Sequence, residues 1–415
     1  MKLSRLFNAQ GESLSVLSEI KEKVPYLEHC IDLYTEALKT SLGQRDPELS
    51  ATIQMNLGFS YMRLAEEKDR LVNSNLALTA DYEALKFFTA RDHPLQFIKL
   101  FNSNGKAFLN LSESSDTGAN LVKALDAYHE AAKVASLDSY PEDYALTQMN
   151  IGEALSSWYQ LQNNRSVLTG ALLAFHNSLL VFKEDTHPYS FACLQNDIAK
   201  IYSFLFEYTR RKDFLDKALD SEKEALKVFK PDVYPYNYFL VKLVSGNIFG
   251  LYAALKDPKD NYSMAIVNYN DALNVCNIEK YPNDYAKLSY DLALVYGGLA
   301  SFQDKEQNAM ASLKFSQEAL KVWTPDKNPL DYARTQLTMG HGFLLMAKSL
   351  GVQKARADAL EAYSQAAEIY KKENLPRGYQ MVLKLMRGLE KDTATGESLS
   401  LPTLPGMNTG PRTPL

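Results

Sequence analysis

Small and apolar positions recur along this chain on a single beat of 47 residues. Prolines mark that beat at Pro47, Pro94, Pro141, Pro188, Pro235, Pro282, Pro329 and Pro376, eight of the 16 in the sequence. Equal spacing at this length is the signature of one supersecondary unit stacked repeatedly. Eleven residues after the first seven prolines stand Gly58, Gly105, Gly152, Ala199, Gly246, Ala293 and Gly340. Three residues further on are Tyr61, Phe108, Leu155, Tyr202, Phe249, Tyr296 and Phe343. A small residue followed one helical turn later by a large one suits two helices in close contact, and we expect the large side chain to fill the groove beside the small one.

A second set of columns follows in the same unit. Ala77, Ala124, Ala171, Ala218, Ala265, Ser312 and Ala359 are echoed seven residues later by Ala84, Ala131, Ser178, Ala225, Ala272, Ala319 and Ala366. Seven residues are two helical turns, so both columns lie on one face. Leu85, Leu179, Leu226, Leu273 and Leu320, with Phe87, Val134, Val181, Val228, Val275, Val322 and Ile369, complete an apolar stripe of helical period. Each unit is therefore predicted to be two helices. The first opens at the proline, whose missing N–H would lack a partner there anyway. Polar stretches such as SESSDTG (112–118) and QDKEQN (303–308) separate it from the second.

The register extends backwards, with Gly11, Cys30, Tyr34 and Ala37 on the small and aromatic columns, so residues 1–46 are predicted to be a divergent first repeat. Seven full repeats fill 47–375. Residues 376–391 carry a first helix without a second, which suits a cap over the last apolar face. From 392 to 415 the composition turns to Pro, Gly, Ser and Thr without helical period, which predicts a disordered tail.

Composition narrows the function classes. Hydrophobic content of 46% and charged content of 23% are those of a folded chain. A formal charge of -5 gives no basic field for nucleic acid. Cys30, Cys193 and Cys276 are three and far apart, so neither a disulfide framework nor a metal-ligand spacing is present. The amino-terminal residues lack the apolar stretch of a signal peptide, and no window approaches a membrane-spanning length. The expectation is a cytoplasmic protein with no membrane insertion.

The columns resemble those of the tetratricopeptide repeat. Gly58 with Tyr61, Ala199 with Tyr202, and Ala293 with Tyr296 match its small-x-x-aromatic pair; Ala124 with Tyr128, Ala171 with Phe175, Ala265 with Tyr269 and Ala359 with Tyr363 match its alanine-x-x-x-aromatic pair. The chain departs from the family in the unit's length, in lacking the early tryptophan, and at Asp81, Glu222 and Ser316, where a column slips. The resemblance implies an all-α fold, a right-handed superhelical solenoid of two-helix repeats.

In that family the first helix of each repeat lines a concave groove that binds extended peptides or partner helices. Carried over by position, the groove would be lined by Met55, Asn102, Met149, Asn196, Tyr290 and Leu337, by Asn56, Asn150, Asp197 and Asp291, and by Phe59, Lys106, Glu153, Lys200, Asn247 and His341. An Asn side chain there can bond both N–H and C=O of an extended peptide. The alternative is that Asn56 and Asn150 bond neighbouring helices, or that the apolar members are buried between repeats. The subclass that grips a carboxylate with a lysine followed by asparagine is not expected here, because the lysine positions hold Met55, Asn102, Met149, Asn196, Leu243, Tyr290 and Leu337.

Enzyme signatures are absent: no G-x-S-x-G, no phosphate-binding glycine loop, no H-E-x-x-H and no cysteine pair. Glu142 and Asp143, echoed by Asp284 and Asp331, fall in first helical turns, where carboxylates complement the helix dipole. No catalytic residue, cofactor site or metal site is predicted. The sequence points to a protein-interaction scaffold with a protein or peptide partner; a regulatory subunit of a larger effector complex is the alternative, and an enzyme with an unrecognised site a remote one.

Overall fold

The computed structural model describes residues 2–17, 23–41, 46–113, 116–162, 164–347 and 351–395. Among them are seventeen helices and no strand. They fall into two compact units, Met1–His187 and Pro188–Leu415. The first holds α1 (Lys2–Leu17), α2 (Lys23–Ser41), α3 (Pro47–Glu67), α4 (Arg70–Leu85), α5 (Pro94–Ser112), α6 (Thr117–Ala132), α7 (Pro141–Gln162) and α8 (Arg165–Ser178). The second holds α9 (Pro188–Thr209), α10 (Lys212–Val228), α11 (Pro235–Ala253), α12 (Pro258–Leu273), α13 (Pro282–Leu299), α14 (Lys305–Leu320), α15 (Pro329–Leu345), α16 (Val352–Lys372) and α17 (Pro376–Thr395). Within each unit a helix packs mainly on its sequence neighbours, and the first helices from α1 to α7 and from α9 to α15 also touch the next first helix of their unit. This is the contact pattern of a stacked repeat array.

Proline suits the start of α3 and the later first helices because its missing N–H would have no partner there, while the residue before it opens the helical ladder. The carbonyls of His93, Tyr140, Tyr234, Tyr281 and Asn328 accept the first helical hydrogen bonds, at 2.8 to 3.0 Å. Rings at this position pack back over the junction. His93 lies 4.9 Å from Phe87 and 5.2 Å from Phe88, His187 5.0 Å from Phe182, and Tyr234 5.6 Å from Phe229.

The turn into the second helix has its own rule, on the same 47-residue beat. Asp69, Asp116, Arg210, Asp257 and Asp304 adopt left-handed φ of 41 to 59°, and Gly351 φ of 83°. Asp tolerates this conformation better than most L-residues, and Gly adopts it freely. Four residues on, Asn73, Asn261 and Asn308 turn their Nδ2 back onto the carbonyls of Lys68, Lys256 and Gln303 at 2.8 to 2.9 Å. Those carbonyls lie beyond the end of the preceding helix and lack helical partners. The sequence carries this Asp-x-x-x-Asn signal, and the column analysis did not use it.

The small column works differently from the expectation. The ring that enters it comes from the second helix of the same repeat, not from the residue one turn along. A Cβ built on Gly105 would meet the Tyr128 ring at 2.3 Å, on Gly152 the Phe175 ring at 2.4 Å, and on Gly246 and Gly340 the rings of Tyr269 and Tyr363 at 2.3 Å. A residue one turn along the same helix extends parallel to the small site and cannot fill it; only a side chain from the facing helix points into it. These rings are buried, and Tyr34, Tyr128 and Tyr269 each centre an apolar cluster that reaches the following repeat.

At the carboxyl end α17 buries Val382 and Leu389 against Tyr363, Ala366 and Tyr370 of α16. It runs to Thr395, so residues 392–395 are helical although the helical period of the sequence fades at Asp392. The remainder of the expected tail, 396–415, lies outside the described residues.

Candidate functional site

In the first unit the polar column of the first helices is tied to neighbouring helices. Asn56 donates from Nδ2 to Asn8 Oδ1 at 3.1 Å and to Glu12 Oε1 at 3.0 Å. Asn150 donates to Asn102 Oδ1 at 3.1 Å, and Asn102 to Thr147 Oγ1 at 2.8 Å. Both pairs join positions 48 residues apart. Adjacent first helices thus meet with a one-residue offset, which sets one column against the column beside it. Lys106 reaches Glu153 on the next first helix at 3.1 Å. Phe59 and Met149 stay half-exposed, and Leu146, one turn before Asn150 on α7, is exposed. Met55 is also half-buried, against Ala51, Ala84, Phe88 and Leu100.

The second unit uses the column in another way. Asp197 pairs with Lys200 along α9 at 2.9 Å. Asn247 accepts the Tyr269 hydroxyl at 2.6 Å, after the tyrosine ring has crossed Gly246. Asp291 is buried and takes the Lys287 ammonium four residues earlier. Tyr290 packs 5.8 Å from Trp323. Leu337 is buried in the terminal cluster with Tyr363 and Val382. His341 is buried, and that burial, with Lys305 nearby, brings its pKa down to about 4.

Six of the expected groove residues are enclosed. Asn102, Asn150, Asn196, Asp291, Leu337 and His341 are buried, so their side chains are not presented to a peptide. The extended first helices pack side by side closely enough to enclose these positions, as the alternative for Asn150 anticipated. Met55, Asn56, Phe59, Lys106, Met149, Glu153, Asp197, Lys200, Asn247 and Tyr290 keep part of their surface.

Sequence reasoning missed the position directly after the proline. Tyr189 and Tyr236 are exposed there. Tyr236 stacks on Tyr281 at 4.6 Å and donates its hydroxyl to Asp284 at 3.1 Å. Tyr189 lies 5.5 Å from Tyr234 and accepts from Asn237 at 3.4 Å. Burial raises the pKa of Asp284 while the Tyr236 hydroxyl draws it down, so this first-turn carboxylate also links two repeats. Burial likewise raises Asp143, against the pull of Lys99.

Among the described residues no group of three His, Cys, Asp or Glu side chains is placed to hold a metal ion, and no helix is long and apolar enough to cross a membrane. The three cysteines are unpaired with one another. Burial pushes the thiols of Cys30 and Cys276 up to about 11, the opposite of an activated nucleophile.

Paired helices on a fixed beat, with the ring of the second helix lodged in the small column of the first, define a tetratricopeptide-like helical repeat protein with a lengthened unit. No family model matches the chain, and no curated protein matches it. By shape, 52 chains of solved structures match. One is a Rap protein complexed with competence and sporulation factor, 12% identical, with 96% of this chain and 100% of that one covered at a TM-score of 0.47. A signal-transduction ATPase with a tetratricopeptide repeat sensor from Pyrococcus horikoshii is 13% identical, with 89% and 54% covered at 0.40. The tetratricopeptide domain of P58(IPK) is 12% identical, with 94% and 99% covered at 0.28.

Proposed function

We propose that this chain is a non-catalytic protein-interaction scaffold, and that a peptide or a helix of a partner protein lies along the first helices of a unit. One observation carries this. In the first unit Phe59, Leu146 and Met149 keep apolar surface on helices that are locked together through Asn56, Asn8, Asn102 and Asn150, beside the Lys106–Glu153 pair. Apolar anchors held on a rigid frame with a polar rim bind well, because little ordering remains to be done on association. In the second unit Asp197, Lys200, Asn247 and Tyr290 occupy the same register.

The test places a photo-crosslinking residue at Phe59, at Met149 or at Val72 of the full chain in its native cell. Adducts of one protein from Phe59 and Met149, with none from Val72, are expected. Adducts from Val72 alone would move the partner to the second helices and overturn the assignment.

A second observation supports the role of regulatory subunit, which needs two surfaces, one for the signal and one for the effector. Helix α4 exposes Leu71, Val72, Leu76 and Tyr82. On that role the same crosslinking gives two different proteins, one from each face.

A further inference from the structure

Two repeats break the ring-in-notch rule in the same way. Asp81 stands where Tyr34, Tyr128 and Tyr269 place a ring, and Glu222 stands there in the second unit. The exchange extends to the next repeat. Tyr34, Tyr128 and Tyr269 share their clusters with Leu57, Ile151 and Leu292, the residues 23 positions further on. At that position the two exceptional repeats carry Asn104 and Ser245. A ring against an aliphatic side chain has become a carboxyl against an amide in one unit and a carboxyl against a hydroxyl in the other. The third slipped column, Ser316, is satisfied on its own helix by the Ser312 carbonyl at 2.9 Å.

Neither carboxyl is satisfied. Asp81 is 0% exposed, Glu222 2% and Asn104 1%. Both oxygens of each carboxyl, and both polar atoms of the Asn104 amide, lack a hydrogen-bond partner among the described residues. Asp81 lies in the glycine notch itself, where a Cβ on residue 58 would be 2.0 Å from its Oδ1. It is faced by Gly58 from α3 and by the Ser103 hydroxyl from α5, which is near but outside hydrogen-bond geometry; on its own helix Tyr82 is the titratable neighbour. Glu222 is faced from α9 by Lys200 and Asp197, which act in opposite directions, and Ser245 is at its register on α11. An ionised carboxylate closed into such a place without partners is strongly disfavoured.

We propose that the seams α4/α5 and α10/α11, one in each unit, are proton-gated opening points of the repeat stack. Each seam closes over a neutral carboxyl, and loss of that proton parts one helix pair from the next. Burial raises Asp81 to about 8 and raises Glu222 as well, so the gate at α4/α5 lies close to neutrality. The unfolded or opened chain ionises near the ordinary value of 3.8 for Asp. Between that value and about 8 the closed seam holds a proton that the open one does not, so closure is favoured at low pH and weakened as pH rises.

Hydrogen exchange of the full chain between about pH 6 and pH 8, corrected for the intrinsic pH dependence of amide exchange, reads this directly. The opening constant of α4 and α5 rises about tenfold per pH unit, while the α2/α3 seam, closed by Tyr34 and Leu57, does not change. Asp81→Asn abolishes the rise at α4/α5 and leaves α10/α11 as in the parent. Should Asp81→Asn fail to fold, the pair Asp81→Tyr with Asn104→Leu restores the usual ring and aliphatic side chain and gives the same readout. A wild-type response flat in pH would mean that the carboxylate is ionised in the closed seam and held by interior water, and it overturns the proposal. An equal rise in the Asn variant places the gate elsewhere and also overturns it.

Discussion

At the scale of single residues the fold depends on a contact that a sequence column shows only from one side. Gly105 is required because the Tyr128 ring occupies the space its Cβ would fill, at 2.3 Å. The small column was legible at once, since seven of seven positions hold Gly or Ala. Its partner was not, because the ring stands 23 residues away and a nearer aromatic, Phe108, offered itself three residues on. Gly105→Ala is therefore expected to lower stability by about 1–3 kcal/mol, the range for overpacking a filled core. The loss should shrink when Tyr128→Leu is added, because the smaller side chain clears the notch. Urea unfolding of the two variants and their combination checks this; additive losses would show that the ring and the glycine do not meet.

Helices and their junctions were the most legible level, and the face they offer was the least. The proline beat gave the start of each first helix within a residue, because fixed φ and a missing donor tie proline to that place. The left-handed Asp and its Asn four residues later were equally visible in the sequence, yet they signal a turn only once the turn is known. The groove column is enclosed at Asn102 and Asn150 for a physical reason. An amide that can read a peptide backbone can as well read a neighbouring amide, and lengthened helices bring that neighbour to 3.1 Å. Asn150→Ala removes a buried donor and leaves Asn102 Oδ1 without it. A loss of about 1–3 kcal/mol is expected, with capture by a partner unchanged once the fold is saturated. Weakened capture at unaltered stability would return Asn150 to the binding surface.

At the scale of a whole unit, stability is a sum over neighbouring helices, so opposed titrations in different repeats can offset each other. The second unit contains such a pair. His341 is lowered from 6.5 to about 4, so between these values the unfolded chain holds a proton that the folded one does not, and stability falls as pH falls. Glu222 is raised above its ordinary 4.5, so stability falls as pH rises from there. Each slope is about 1.4 kcal/mol per pH unit. Where the two ranges overlap, above 4.5, the slopes oppose each other and offset in part. Above 6.5 the imidazole is neutral in both states and adds no slope. Removing one group should expose the other: His341→Gln gives a unit that weakens as pH rises above 4.5, and Glu222→Gln one that strengthens as pH rises towards 6.5. The most protected amides of the second unit report both trends in hydrogen exchange. If both variants kept the profile of the parent, neither group would be titrating as its burial requires.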